Sequence, residues 1–324
     1  MVAIVDRFAP EVISVFRDAM PDSWSLQIGT GNDVPKALNE ADVAFVMAEP
    51  MPGSLLGEAK RLSFIQKLGS GVDRIDLDWC KANGVGVARL FAGNAVPVAE
   101  HTVMLMLAVC RRLPQLDRNT RAGKWQKEES RGINRHLFGK TVGIVGMGAV
   151  GRAVARILGG FGVGIVYYDP VPVPPEVESE LGLSLTDLAT LLATADVVTL
   201  HLPLAGETRH LMNADRIAAM KPGAILINCA RGELVDGAAL ADALKSGHLF
   251  GAGLDAFAAE PPVGDPLLDL ENTVITPHCA GATLDNIASV AARAVKNAAL
   301  FIAGSQLPES DVVVAPVRRV SGQR

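Results

Sequence analysis

Cysteine is scarce in this chain, and its placement excludes more than its number does. The four cysteines, Cys80, Cys110, Cys229 and Cys279, form no CxxC pair or other metal-ligand spacing. No metal site is therefore expected, and free thiols in a reducing cytosol are. Excess positive charge is also missing. A net charge of −5 and a pI near 5.7 argue against the basic face that a nucleic-acid partner requires. The longest apolar run, VMLMLAVC at 103–110, falls well short of the roughly 20 residues that cross a bilayer, so a buried helix is the better reading. The N-terminus, MVAIVDRF, has no basic stretch and meets an acid at Asp6, which disfavours a secretory signal. Repeats and low-complexity segments are absent. These exclusions leave a soluble, cytoplasmic protein with no membrane or nucleic-acid partner.

What is present fits two globular domains. With 324 residues, 49% of them apolar and 20% charged, the chain can bury two cores. Short β-branched runs alternate with longer apolar-periodic stretches, the pattern of an α/β protein with parallel sheets. Strands are expected at 2–5, 25–28, 43–47, 64–68 and 85–88, with a helix over 10–20 whose Val12, Val15, Phe16 and Ala19 share one face. A second series is expected at 141–145, 165–168, 197–200, 225–228, 253–256 and 274–276, six strands that fit a Rossmann domain. Between the series, a long helix should start near Pro97 and end in Arg111 and Arg112. Another is expected over 285–303, closed by Gly304. If it returns to the first unit, that unit is discontinuous. The tail after Pro308 either wraps or frays.

The glycine pattern Gly146, Gly148 and Gly151 follows the 141–145 strand and opens a helix. Alone it is weak, because the chain has 32 glycines. In this context backbone N–H groups and the helix dipole can receive a pyrophosphate. Gly146 permits the turn, Gly148 admits the phosphate, and Gly151 lets helix and strand pack. A second strand then ends in Asp169, where a carboxylate accepts the adenosine ribose and repels the extra phosphate of NADP. NAD is the expected cofactor.

Three residues downstream suit hydride transfer to a 2-keto acid. Arg231, in NCARGELVDG, offers a planar fork that matches a carboxylate. His278, in TPHCAG, is the side chain best suited to protonate a keto oxygen near neutral pH. Glu260, in AAEPP, can hold the distal ring nitrogen. Each has a structural alternative: a paired arginine, a satisfied strand-end histidine, a solvated glutamate. Asp255, in GLDAF, is expected at the nicotinamide end of the cofactor, and His201 can line the cofactor cleft. His101, His136, His210 and His248 are expected to be structural or on the surface, and Tyr167 and Tyr168 to pack. In the first unit, Ser70 and Gly71 lie in a glycine loop able to hold a carboxylate, or forming a plain turn, and Asn94 stands where a hinge would fall.

The blocks LGSGVDRIDLD, GNAVPVAEHT, GKTVGIVGMGAVGRAVA, LHLPLAGETRHLM, INCARGELVDGAAL, GLDAFAAEPP and ITPHCAGAT, in this order, resemble the D-isomer-specific 2-hydroxyacid dehydrogenases over nearly the whole chain. That superfamily contains phosphoglycerate dehydrogenase and glyoxylate/hydroxypyruvate reductase. The resemblance implies two doubly wound parallel-sheet domains: a Rossmann NAD-binding domain at 99–283, inserted into a smaller flavodoxin-like substrate domain at 1–98 plus 284–324. It implies a cleft that closes on substrate, with Arg231 on the substrate and His278 as acid/base held by Glu260. Asp255 would seat the nicotinamide, and Ser70 and Gly71 would contact the carboxylate. Thr102, Ala149, Val150, Asp169, Pro203, Thr208, Cys229 and Ala230 would line the cofactor. A homodimer joined through the cofactor lobes is also implied, with VMLMLAVCRR and RAGKW contributing. Two departures stand out. No regulatory domain is expected after Arg324, which disfavours the long feedback-controlled type. Position 281 is Gly, not the aromatic of some relatives.

The expected activity is hydride transfer between NAD(H) and C2 of a small D-2-hydroxy or 2-keto acid such as hydroxypyruvate, glyoxylate or 3-phosphoglycerate. An NADH-sensing module with the same fold is the alternative, and the intact Arg231, Glu260 and His278 set counts against it. A formate or phosphite enzyme is a more distant third reading. Lys60, Arg61 and Arg74 could read a substrate phosphate or be ordinary surface charges.

Overall fold

The computed structural model describes residues 1–316, and the chain divides into two compact units. One is Met1–Asn94 joined by the chain from Thr283 onward, and the other is Ala95–Ala282.

The first unit holds β1 (Val2–Ile4), β2 (Leu26–Ile28), β3 (Val43–Val46), β4 (Phe64–Lys67) and β5 (Gly86–Ala88) in one parallel sheet. Its β1, β3 and β5 are buried along their whole length, as a sheet covered on both faces requires. The helices Pro10–Ala19 and Leu284–Ile302 cover one face, where Phe64 stacks on Phe301 at 4.5 Å. The C-terminal helix does return to this unit. It is tied there by Asp311, whose buried carboxylate accepts from Arg293 (3.2 Å) and Asn297 (3.0 Å).

The sequence expectation leaves Val312–Val314 in the tail, yet these residues form a strand antiparallel to β5 at the sheet edge. The tail beyond residue 316, expected to wrap or fray, lies outside the described residues.

The second unit carries β6 (Thr141–Val145), β7 (Gly164–Tyr168), β8 (Leu183–Leu185), β9 (Val197–Leu200), β10 (Ile225–Asn228), β11 (Gly251–Leu254) and β12 (Thr273–Ile275). With the Val312–Val314 strand numbered β13, the two sheets run β13-β5-β4-β3-β1-β2 and β12-β11-β10-β9-β6-β7-β8. Every pairing in the second sheet is parallel, so all its carboxyl ends lie on one edge. The strand order reverses between β9 and β6, the position where open α/β sheets bind ligands. Six strands are expected here and seven form; β8 is the addition. β11 starts and ends two residues earlier than expected, which leaves Asp255 just past the strand end.

The helices Ala95–Cys110 and Ala149–Leu158 pack on one face of this sheet, and Leu188–Thr194 and Gly237–Lys245 on the other. Ala95–Cys110 is apolar nearly all round, which suits a helix buried between neighbours. Among the described residues no helix is long and apolar enough to cross a membrane.

Candidate active site

Because the second sheet is parallel, its carboxyl edge gathers residues far apart in sequence. Gly146 follows β6, Asp169 follows β7, His201 follows β9, Arg231 lies just beyond β10, Asp255 follows β11 and His278 lies beyond β12.

The turn after β6 has the form a dinucleotide needs. Gly146 adopts φ +97°, and a Cβ on Gly151 would meet the Gly146 carbonyl oxygen at 2.2 Å. Helix and turn can pack this closely only through glycine. A Cβ on Gly148 would meet nothing within 4 Å, so space is open over the helix start. No side chain caps that helix, whose first N–H groups, at Ala149 and Val150, remain for an anion. Asp169 Oδ2 accepts the Met147 N–H (2.7 Å) and Oδ1 accepts the Val171 N–H (2.9 Å). Each oxygen keeps a lone pair for a ribose hydroxyl. The residues present therefore fit a dinucleotide.

Several of the residues expected to line the cofactor are uncharged. Burial pushes the His201 imidazole down to about 3, so it is uncharged near neutral pH; its Nε2 lies 3.0 Å from Thr199 Oγ1. Burial likewise pushes the Cys229 thiol up to about 12. Thr102 is fully buried and donates to the Val98 carbonyl within its own helix (2.8 Å). Thr208 Oγ1 accepts the Ala205 N–H (2.7 Å) and donates to the Pro203 carbonyl (2.8 Å), which shapes the loop after β9.

Arg231 is held by its loop. Buried Asn228, the last residue of β10, accepts the Ala230 N–H (3.0 Å) and donates to the Arg231 carbonyl (2.8 Å). Arg231 Nη1 donates to the Ala230 carbonyl (2.8 Å). A Cβ on the next residue, Gly232, would lie 2.0 Å from the Phe257 carbonyl carbon. The Arg231 loop thus lies directly against the segment leading to Glu260.

Glu260 and His278 meet. His278 Nδ1 lies 2.8 Å from Glu260 Oε1, which also accepts the Phe257 N–H (3.3 Å). The glutamate side chain is 19% exposed and the histidine 41%. A carboxylate can only accept, so Nδ1 carries the proton and Nε2 is the ring nitrogen left for chemistry. His278 sits at φ +51°, a left-handed conformation costing about 1–2 kcal/mol for a non-glycine residue.

Asp255 supplies the restraint. Fully buried, it accepts the Cys279 N–H on Oδ1 (2.9 Å) and the Ala280 N–H on Oδ2 (2.9 Å). Oδ1 also accepts the Thr276 hydroxyl (2.6 Å). Hydrogen bonds to a charged group contribute about 1.5–3 kcal/mol each, enough together to outweigh the strain.

Ser70, Gly71 and Asn94 belong to the first unit. Ser70, past the carboxyl end of β4, donates through Oγ to the Leu90 carbonyl (3.1 Å). Asn94 is the last residue before the second unit begins. Of the three cations near this loop in sequence, Arg61 precedes β4 and pairs with Asp42 (3.1 Å), at the amino end of β3. Lys60 donates to the Gly57 carbonyl (3.0 Å) on that side. Arg74 follows β4 and reaches the Ala48 carbonyl (3.3 Å), so it alone shares the carboxyl edge with Ser70. Sequence alone did not single out Gly232, Thr276 and His101, whose tasks come from long-range contacts, nor Asn228, whose bonds to the Arg231 loop are local.

Known proteins resemble this chain over most of its length. Residues 103–280 match the model for the D-isomer specific 2-hydroxyacid dehydrogenase NAD binding domain. The chain is 37% identical over 314 residues to D-3-phosphoglycerate dehydrogenase of Mycobacterium tuberculosis, covering 96% of this chain but 58% of that protein. It is 36% identical over 258 residues to hydroxypyruvate reductase of Thermotoga maritima, covering 78% of this chain and 82% of that one. D-lactate dehydrogenase from Aquifex aeolicus, solved with NAD and lactic acid, superposes with a TM-score of 0.88 at 30% identity, over 98% of this chain and 100% of that one. The chain belongs to the D-isomer specific 2-hydroxyacid dehydrogenase family.

Proposed function

We propose that the protein is an NAD-dependent dehydrogenase or reductase acting at C2 of a small D-2-hydroxy or 2-keto acid. The observation that carries this reading is the His278–Glu260 pair at 2.8 Å, on the same sheet edge as Arg231 and the glycine turn. Ala149, Val150 and the glycines would hold the pyrophosphate, Asp169 the adenosine ribose, and Asp255 the nicotinamide side. Thr102, His201, Pro203, Thr208, Cys229 and Ala230 would complete the walls. A carboxylate at Asp169 disfavours the extra phosphate of NADP.

NADH supplies the hydride when bound. Arg231 grips the substrate carboxylate and orients the keto carbon, with Ser70, Gly71 and Asn94 as further contacts to the acid. His278, in its protonated form, gives the Nε2 proton to the keto oxygen, and the product is a hydroxyl. Glu260 keeps the Nδ1 proton in place and stabilises the ring while it is charged. For oxidation the order reverses, and neutral His278 takes the hydroxyl proton on Nε2. Hydroxypyruvate, glyoxylate and 3-phosphoglycerate all fit the class, and only the last would call on Arg74. A cytoplasmic setting suits the four free thiols.

His278→Ala tests the assignment. Turnover should fall by about 10²–10⁴-fold, the usual worth of a general acid, while NADH affinity stays near the parent value. Unchanged turnover would remove His278 from the mechanism.

A further inference from the structure

His101 lies in the buried helix Ala95–Cys110, with its side chain 15% exposed. Its Nε2 is 2.9 Å from Thr276 Oγ1 and 3.7 Å from Asp255 Oδ1. Thr276 Oγ1 is in turn 2.6 Å from Asp255 Oδ1. A carboxylate has no proton to offer, so the threonine hydroxyl must donate to Asp255. That spends its only hydrogen, and towards His101 it can only accept. The His101 proton is therefore on Nε2, and the hydrogen bonds run one way, from His101 through Thr276 to Asp255.

The chain ends on the carboxylate that holds the His278 loop. Thr276 precedes His278 by two residues, and Cys279 and Ala280 follow it at once. All three hydrogen-bond to Asp255. The strained residue between them projects its ring towards Glu260.

We propose that His101 and Thr276 are positioning residues that fix the His278 loop through Asp255. This rests on the reading of His278 as the acid/base. It assigns a task in catalysis to a histidine in the middle of a packing helix. The ligand atoms of His101, Asp255 and Cys279 also lie within 4.8 Å of one another, as in a metal site. The donor chemistry opposes that use: Asp255 is taken up by O–H and N–H donors, and His101 Nε2 bears a proton. Burial also pushes the Cys279 thiol upward, with Asp255 adding to the shift.

Two pairs of variants and one spectrum test the proposal. Thr276→Val and His101→Leu remove donors, whereas Thr276→Ser and His101→Gln keep one at nearly the same place. The first pair should lower kcat about tenfold to a hundredfold, as a small misplacement of a reacting group does, with substrate KM and NADH Kd little changed. The second pair should recover most of that loss. In the unliganded protein, ¹⁵N NMR of the histidine rings should show His101 protonated on Nε2. The Cys279 and Ala280 amides should lose hydrogen-exchange protection in Thr276→Val.

A His101 Nε2 without a proton, or Thr276→Val with parent kcat and intact amide protection, would overturn the proposal. Parent protein inactive on every 2-keto acid would sink the functional reading instead. The NMR tautomer and exchange data would still decide the hydrogen-bond chain. If the Leu variant fails to fold, the Thr276 pair and the spectrum of the parent protein suffice.

Discussion

At the scale of single residues, the site depends on exclusion as much as on chemistry. Gly232 has no catalytic atom, yet any Cβ there would press into the Phe257–Ala258 backbone, 2.0 and 2.3 Å away. Backbone cannot swing aside as a flexible side chain can, so the Arg231 and Glu260 segments must part. Gly232→Ala should cost about 1–3 kcal/mol of stability, the usual toll of overpacking, and should lower kcat/KM by loosening both segments. Thermal unfolding and steady-state kinetics on the same preparation check this. A variant with the parent's Tm and kcat/KM would show that the two loops do not bear on each other. His201 makes a different contribution. Held near 3 by burial, it stays neutral while the unfolded chain's histidine protonates below about 6.5. The folded state is therefore favoured less as the pH falls through that value.

At the scale of elements, the amino edge of the second sheet has its own ties. Asp196, just before β9, accepts the Thr141 N–H at the start of β6 (2.9 Å) and pairs with Lys221 ahead of β10 (2.8 Å). Burial pushes its carboxyl up, but the Lys221 and Thr141 hydrogen bonds prevail, and the net shift is downward from 3.8. A folded value below the unfolded one gives stability that is present above about pH 4 and lost as the pH falls through the lowered value. Lys221→Met should remove up to about 1 kcal/mol at neutral pH, since the lysine is half exposed, and should move the acid-unfolding midpoint upward. An acid titration followed by circular dichroism checks it. A midpoint that stays or falls would contradict the assignment.

Most elements were legible in the sequence because their residues are buried on both sides. β6, β9 and β10 fall where continuous apolar runs place them. β8 was not legible: only Leu183 of its three residues is buried, so it has no apolar signature. β13 was missed for another reason. Its valines resemble any apolar tail, and only pairing with β5, more than two hundred residues earlier, makes them a strand. The site divides in the same way. Arg231, Glu260 and His278 stand in recognisable blocks with a chemical reason for each. His101 carries no local signal, because its partner Thr276 is 175 residues away. Asp255 was read for the cofactor, and its hold on the Thr276–Ala280 segment emerged from the folded chain alone.

At the scale of the whole molecule, each unit has its own sheet and core, and the chain passes between them twice, at Asn94/Ala95 and Ala282/Thr283. The match to the family's NAD binding domain falls within the second unit. The chain spans 58% of the length of the mycobacterial relative, so its activity has to be established on this protein. The segment expected to join two copies exposes Trp125, Leu113 and Met104, at 76%, 57% and 45%. A second copy docked on this segment would cover them. On the proposal that two copies join through this segment, sedimentation equilibrium should give twice the 34.0 kDa of one chain, and Trp125→Glu with Leu113→Glu should return the mass to one. A single-chain mass for the parent protein would contradict the homodimer.

The central claim is that this site moves a hydride between NADH and C2 of a small 2-keto acid. Its most direct test follows loss of NADH absorbance with hydroxypyruvate, glyoxylate, pyruvate and 2-ketoisocaproate, and its gain with 3-phosphoglycerate and NAD. NADPH and NADP are run in parallel. Turnover of at least one acid is expected, with preference for the cofactor lacking the 2′-phosphate. Tight NADH binding without turnover of any of them would contradict it.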